Sequence, residues 1–401
     1  MNSVTKKTAI GIRGIRNFKV KYLALLTSFY SRYYALMEPN CVLFIPVSSP
    51  SGIGEYMRSL IIAKALQCRW PNVKIHFILN EQVAYLKDCP YTVHTCKDSP
   101  TKELARVNRL IGNINPDLVI FDASGRAQQF KMAKTVGAKV AFISQHNKKR
   151  TRGLKLNRLL NTDVHWVVQP DYCIKALSYW QRTKLTIFDK KAPKNIGPVF
   201  ELSNQDYQEQ LLKKYDLSPN KYFIFNAGSG GHKIIDVLAA DIYYQAAKEF
   251  YQKNVARKIK VKCVVLFGSN YPIELPKNND IICLKNIENK DFIALISNAQ
   301  GCVISAGDTL LQCIALHKAC VAAPVSPDQP ARLKLCHNNN LVLSAKPNSD
   351  SLVQQALLML DEEKCKNMIN TMKNQAPVKA LETIVDDIAV LFSDPKENSA
   401  L

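Results

Sequence analysis

From Cys41 onward the chain alternates between short, continuous apolar runs and longer stretches whose apolar residues recur every three to four positions. The runs CVLFIPV (41–47), VKIHFIL (73–79), PDLVIFDAS (116–124) and AKVAFIS (138–144) have the length and apolar density of strands buried on both faces. Between them, GEYMRSLIIAKALQC (54–68), TKELARVNRLIGNI (101–114) and QQFKMAKTVG (128–137) carry helical spacing. Strand and helix in turn predict a parallel sheet covered by helices on both faces. VHWVVQP (164–170) and KAPKNIGPVF (191–200) close this first unit.

The alternation then restarts. KYFIFNAGSGG (221–231) is a strand and a Gly-rich turn, and HKIIDVLAADIYYQAAKEFYQK (232–253) is expected to be one long helix. Strands follow at VKCVVLFGS (261–269), NDIICLKN (279–286), GCVISAG (301–307) and ACVAAPV (319–325), with helices at 289–299 and 308–318 and a mostly helical tail. The fold class is therefore α/β, with two doubly wound Rossmann-like domains facing a cleft. The expected division is a basic N-terminal extension over 1–38, a first domain over 39–198 and a second over 199–395, joined near Gly197–Pro198. In such sheets ligands bind beyond the carboxyl ends of the strands, so the informative residues should follow the strands.

Composition narrows the partners. At 401 residues and 47% hydrophobic content, two sizeable cores can be buried. The net charge of +21 favours phosphates, anionic lipid or nucleic acid. No RNA- or DNA-reading motif accompanies the basic segments, so nucleic acid is not the expected partner. The twelve cysteines form no C-x-x-C pair, and most sit inside apolar runs, which suits reduced core cysteine and a cytoplasmic location. No apolar stretch reaches the roughly 18 residues of a membrane span. Residues 6–37 are basic and aromatic-rich, with no acid before Glu38. They suit either an unpacked extension or a helix lying on an anionic membrane face. The stretch 147–158, NKKRTRGLKLNR, is a solvated basic face or a second docking point for such a surface.

Two turns carry candidate chemistry. In NAGSGGHK (226–233), Gly228, Gly230 and Gly231 let backbone N–H groups approach an anion, and a following helix would add its N-terminal donors. Glycines in such turns also serve packing alone. No Walker loop and no dinucleotide spacing is present. In ISAGDTLLQ (304–312), Ser305, Gly307, Asp308 and Thr309 offer donors at a helix start, although Asp308 or Thr309 would also serve as a plain N-cap. Gln312 follows one turn later, and the loop SPDQPAR brings Asp328 and Gln329, which can hydrogen-bond hydroxyls or simply form a turn. His232 and Lys233 stand at the first of these turns.

In order and spacing these elements resemble the nucleotide-sugar half of GT-B glycosyltransferases, in particular the UDP-N-acetylglucosamine transferases that make the lipid-linked peptidoglycan precursor. NIGPVF (195–200) resembles their interdomain segment, and SQHNKKRTRGLKLNRLL (144–160) resembles, with insertions, their acceptor-domain stretch. The first loop, GIGEYMR, is closer to the related UDP-sugar hydrolases of the pseudaminic-acid pathway: Gly52, Gly54, Glu55 and Arg58 fall in step with Gly-x-Gly-His-x-x-Arg. The resemblance implies a nucleotide-sugar co-substrate, UDP-linked by the family's habit, with no cofactor and no metal. It places Gly52, Gly54, Arg58, Gly228, Ser229, Gly230, Gly231, Ser305, Gly307, Asp308, Thr309, Gln312, Asp328 and Gln329 on the donor side. His146 and Asn147 fall on the side of a glycan or lipid-linked acceptor. Glu55 takes the place of the family's catalytic histidine, and a carboxylate there can accept a proton from a hydroxyl or from water. The alternative for Glu55 is a first-turn acid complementing the helix dipole. Gln312 stands where the family has a ribose-binding Glu. The implied activities are inverting sugar transfer in cell-surface glycan assembly, peripheral to the inner face of the cytoplasmic membrane, or nucleotide-sugar hydrolysis. Loss of both family residues would mark a non-catalytic binder.

Overall fold

The computed structural model describes residues 38–48, 53–375 and 378–393. The basic extension and Gly52 lie outside the described residues. The first lobe is a seven-stranded parallel sheet, β1 (Cys41–Pro46), β2 (Lys74–Asn80), β3 (Thr92–Cys96), β4 (Leu118–Asp122), β5 (Lys139–Ser144), β6 (Val164–Val167) and β7 (Lys194–Asn195), in the order β3-β2-β1-β4-β5-β6-β7. Alternate residues of β1 enter opposite cores: Val42 and Phe44 pack with Ile62 and Trp166 on one face, Leu43 and Ile45 with Ile111 and Phe130 on the other. This two-sided burial is why the strand reads as an unbroken apolar run.

The second lobe has β8 (Tyr222–Asn226), a short antiparallel pair β9 (Lys233–Ile234) and β10 (Val237–Leu238), then β11 (Lys262–Leu266), β12 (Ile281–Leu284), β13 (Gly301–Ser305), β14 (Cys320–Ala323) and β15 (Leu343–Ser344). Its parallel sheet runs β12-β11-β8-β13-β14-β15. In each sheet the winding reverses beside the lobe's first strand, between β1 and β4 and between β8 and β13. These are the two switch points where a crevice opens.

Among the departures from the expected elements are these three. The helix expected from His232 begins at Ala239 instead and runs to Ala256. The residues before it form the β9–β10 hairpin, whose turn holds Ile235 and Asp236 at φ of 45° and 66°. The edge strand β3 was not expected, because TVHTC is short, half-exposed and barely apolar. The closing helix, Ala380–Ser393, lies within the span assigned to the second domain but packs on the first. Ala380, Ile384 and Ile388 join the core of Ile61 and Trp166, and Asp387 accepts from Trp166 Nε1 at 2.8 Å and pairs with Lys194.

Candidate functional site

The front wall of the cleft is built by the helix Gly54–Arg69, which follows β1. Gly54, Met57, Arg58 and Ile61 line an interlobe cavity of about 420 Å3. These positions are i, i+3, i+4 and i+7, one face of the helix. Glu55 is not on that face. It is half-buried, and its Oε1 accepts from Gln145 Nε2 at 2.9 Å, on the side of the cleft beyond β5.

Arg58 does not project as a free cation. Its guanidinium, 5% exposed, donates through Nε (2.9 Å) and Nη2 (2.6 Å) to the two oxygens of Asp122, which is fully buried at the end of β4. Ser59 Oγ adds a third bond to Asp122 at 3.3 Å. Burial pushes the Asp122 carboxyl up, to about 6, against the pull of Arg58. Burial also opposes the Arg58 charge, but Asp122 outweighs it and holds the guanidinium above its ordinary pKa. The remaining nitrogen, Nη1, crosses to the second lobe and meets Asp308 Oδ2 at 3.5 Å. Lys149 lies behind this cluster, its Nζ donating to Ala123 O at 2.6 Å. Burial lowers its pKa, with Glu55 drawing the other way.

The rear wall is made by the loops after β8 and β13 and by the helix Asp308–Ala315. Gly228, Ser229, His232, Ser305, Gly307, Asp308, Thr309, Gln312 and Gln329 line the cavity. The loops touch: a Cβ on Gly228 would lie 3.3 Å from Ser305 Oγ. Gly230 and Gly231 are not on the lining. Gly230, at φ +93°, is where the loop crosses the next one, and a Cβ there would sit 2.2 Å from Phe267 O. Of the two helix mouths expected to flank an anion, only that at Asp308 is present, because the hairpin separates Ser229 from the helix Ala239–Ala256. Lys233 falls on that hairpin and not in a first helical turn.

The outer candidates fare differently. Gln312 is 8% exposed on the cavity wall. Gln329 commits its Oε1 to Val325 N–H at 2.8 Å. Asp328 is exposed, accepts from Ser326 Oγ at 2.6 Å and does not line the cavity. His146 is exposed and N-caps the helix Asn147–Gly153. Asn147 Oδ1 is taken by Lys175 N–H (3.1 Å) and Arg150 Nη2 (3.3 Å), a structural tie between two segments.

Three features escaped the sequence reading. Asp122 was read only as part of a buried strand. Arg332 donates to Ala306 O at 3.1 Å and meets Asp308 Oδ1 at 3.5 Å, so the Asp308 carboxylate lies between two guanidiniums. The sequence showed Arg332 only as the last residue of the loop SPDQPAR, which the structure turns into the start of the helix Gln329–Asn338. Lys285, Asn286, Ile287, Asn289 and Phe292, after β12, supply the far wall of the cavity. Among the described residues no group of three or more His, Cys, Asp or Glu is placed to hold a metal ion, and no helix is long and apolar enough to cross a membrane.

Two Rossmann-like lobes with a cavity at both switch points define the GT-B class of fold, and solved structures of that class match the chain. It is similar to CalG4, the calicheamicin glycosyltransferase, at 13% identity and a TM-score of 0.55 over 88% of this chain and 98% of the other. It is similar to Phytolacca americana UGT2, solved with UDP-2fluoro-glucose and pterostilbene, at 10% identity and a TM-score of 0.57 over 88% and 99%. A third likeness is to S. aureus MnaA solved with UDP, at 12% identity and a TM-score of 0.55 over 88% and 96%. No protein-family model matches the chain, and no curated protein matches it by sequence.

Proposed function

We propose that the protein is a glycosyltransferase that takes a nucleotide-sugar donor, a UDP-sugar by likeness to the solved complexes, in the interlobe cavity. The observation that carries this is the convergence on one cavity of the Asp308 helix mouth, the Gly228–Ser229 backbone, and Arg58 on the facing helix, with Arg332 behind Asp308. A diphosphate would take its charge-assisted bonds from the helix N–H groups and the Arg58 Nη1 now facing Asp308. Protein donors then stabilise the leaving group, and the reaction needs no metal. The slot between Lys285 and Phe292 suits a base, and Gln312 suits the ribose, since an amide both donates and accepts.

Glu55 acts as the base in this reading, taking a proton from an acceptor hydroxyl that attacks the anomeric carbon with inversion. In this reading the acceptor enters from the β5 side, where Glu55 accepts from Gln145, beside His146. A glycan or lipid-linked acceptor at the cytoplasmic membrane fits the basic stretch 147–158. The position of Glu55 off the cavity lining favours a second reading: donor binding, or donor hydrolysis by water, without transfer.

The test is UDP-induced thermal stabilisation, followed by UDP release from UDP-sugars with and without acceptor lipids. UDP at about a hundred times its Kd adds roughly 2.7 kcal/mol of stability. Glu55→Gln should leave that stabilisation intact and lower turnover at least about a hundredfold. No stabilisation by any nucleoside diphosphate removes the proposal. Release of UDP that no acceptor accelerates assigns hydrolysis.

A further inference from the structure

We propose that Cys173 and Cys336 form a redox latch between the lobes: an oxidant of the peroxide class joins them in a disulfide that fastens the first lobe to the helix behind the donor wall. The link is independent of the donor reading above, and only its effect on nucleotide exchange rests on that reading.

Cys173 ends the short turn Asp171–Cys173, which follows β6. The turn is held to the first lobe on both sides. Asp171 Oδ1 accepts from Asn195 Nδ2 of β7 at 2.7 Å, and Lys175 O accepts from Arg150 Nη2 at 2.5 Å. Yet Tyr172 and Cys173 pack into the core of the second lobe, which leaves Cys173 8% exposed. There Cys173 meets Cys336, fully buried on the helix Gln329–Asn338, with the two sulphurs 3.7 Å apart. A thiol is a weak donor and a weak acceptor, so the reduced pair does little to hold the lobes together.

The helix that carries Cys336 gives the contact its consequence. Gln329, Arg332 and Cys336 stand at i, i+3 and i+7, one face of that helix. Gln329 lines the cavity, and Arg332 meets Asp308. A covalent bond at Cys336 ties these groups to the first lobe, and the cleft can no longer open by parting the lobes there. Cys302, Cys313 and Cys320 also lie close together, but all three belong to the second lobe, so a bond among them would cross no interface.

The chemistry starts at Cys173. Second-lobe residues bury it, so parting the lobes uncovers it, while the bond to Cys173 and then burial push the Cys336 thiol up. The Cys173 thiolate attacks one peroxide oxygen, the O–O bond breaks, and the departing hydroxide takes up the proton that Cys173 lost, leaving a sulfenic acid. When the lobes close, the Cys336 sulphur attacks the Cys173 sulphur. The S–O bond breaks, the Cys336 proton leaves with the hydroxide as water, and the sulphurs close to a bond of about 2.05 Å. Two thiols are oxidised to one disulfide, and one peroxide is reduced to two waters.

The experiment treats the reduced full chain with hydrogen peroxide and maps its disulfides by mass spectrometry of a non-reduced digest. A peptide pair joined at Cys173 and Cys336 should appear, and dithiothreitol should remove it. Amide exchange at Ile196 and Gly197, the interlobe linker bonded to Val167 O and Gln169 O, should slow at least about threefold on oxidation and recover on reduction. UDP release followed by stopped flow should slow at least about tenfold in the oxidised protein. Cys173→Ala and Cys173→Ser, treated alike, should show none of these changes. The proposal is overturned by the absence of the Cys173–Cys336 peptide, by a Cys320–Cys336 peptide in its place, by a link that leaves linker exchange unchanged, or by unaltered release from a linked protein that binds UDP. A link that slows linker exchange in a protein that binds no UDP would uphold the latch and remove the donor reading instead.

Discussion

The Arg58–Asp122 pair makes a demanding test because its two partners predict opposite outcomes when changed singly and together. Asp122 is fully buried and receives Nε and Nη2 of Arg58 at 2.9 and 2.6 Å, and Arg58 itself is 5% exposed. Asp122→Ala leaves a guanidinium in the interior with Asp308 at 3.5 Å as its remaining ion-pair partner and Glu55 farther off. Removing one partner of a buried ion pair costs about 3–5 kcal/mol. For a lobe of this size that is a fall of roughly 6–20 °C in Tm. The double change Arg58→Met with Asp122→Leu removes both charges and both desolvation costs, and should return stability to within about 1 kcal/mol of wild type. The assay is built into the chain. Its three tryptophans, Trp70, Trp166 and Trp180, all lie in the first lobe, so fluorescence-monitored urea unfolding reports this lobe alone. UDP stabilisation measured on the same double variant should be lost, because Nη1 is the charge that crosses the cleft. A cost below about 1 kcal/mol for Asp122→Ala would show that the carboxylate is not the fixed partner of Arg58. A double variant as unstable as the single would refute the desolvation argument. A stable double variant that still responds to UDP would remove Arg58 from the donor site.

Gly230→Ala should destabilise the second lobe by roughly 2–4 kcal/mol, since its Cβ would meet Phe267 O at 2.2 Å at a φ of +93°. Gly231→Ala, with nothing nearer than 3.5 Å, should stay within about 0.5 kcal/mol by calorimetry, and equal losses at both sites would contradict the loop crossing. His165 is buried beside Phe142 and bonded through Nε2 to Ser144 Oγ, and burial, then Arg150, holds its pKa down to about 3. Because this lies below the unfolded value of about 6.5, its contribution is complete above pH 6.5 and declines as pH falls toward 3, about 2 kcal/mol being gone by pH 5. His165→Gln should flatten the urea-derived stability between pH 7 and 5 by that amount, and an unchanged slope would show that another group governs it.

The sheets were legible because strands buried on both faces must be apolar at every position, as Val42 through Ile45 are. The rear hairpin was not, because its signal is contrary to its conformation. A two-residue turn with both central φ values positive usually declares itself by Asn-Gly or Asp-Gly, and here Ile235 and Asp236 occupy it. KIIDVL therefore reads as the start of the amphipathic segment that follows. The final helix was legible as a helix but not as a member of the first lobe, since its partners Ile61 and Trp166 lie more than two hundred residues earlier. The Arg58–Asp122 pair is hidden for the same reason, joining residues 64 apart across the switch point of the sheet.

Glu55 shows most sharply what a motif can and cannot carry. In-step matching of GIGEYMR transfers residue types along a line, but the cavity samples a helix by angle. Gly54, Met57, Arg58 and Ile61 form one stripe, and Glu55, about 100° around from Gly54, is turned toward Gln145. If Glu55 is the base proposed above, its contact with Gln145 sets it to one side of the donor cavity. That side follows β5, where His146 and the helix Asn147–Gly153 stand.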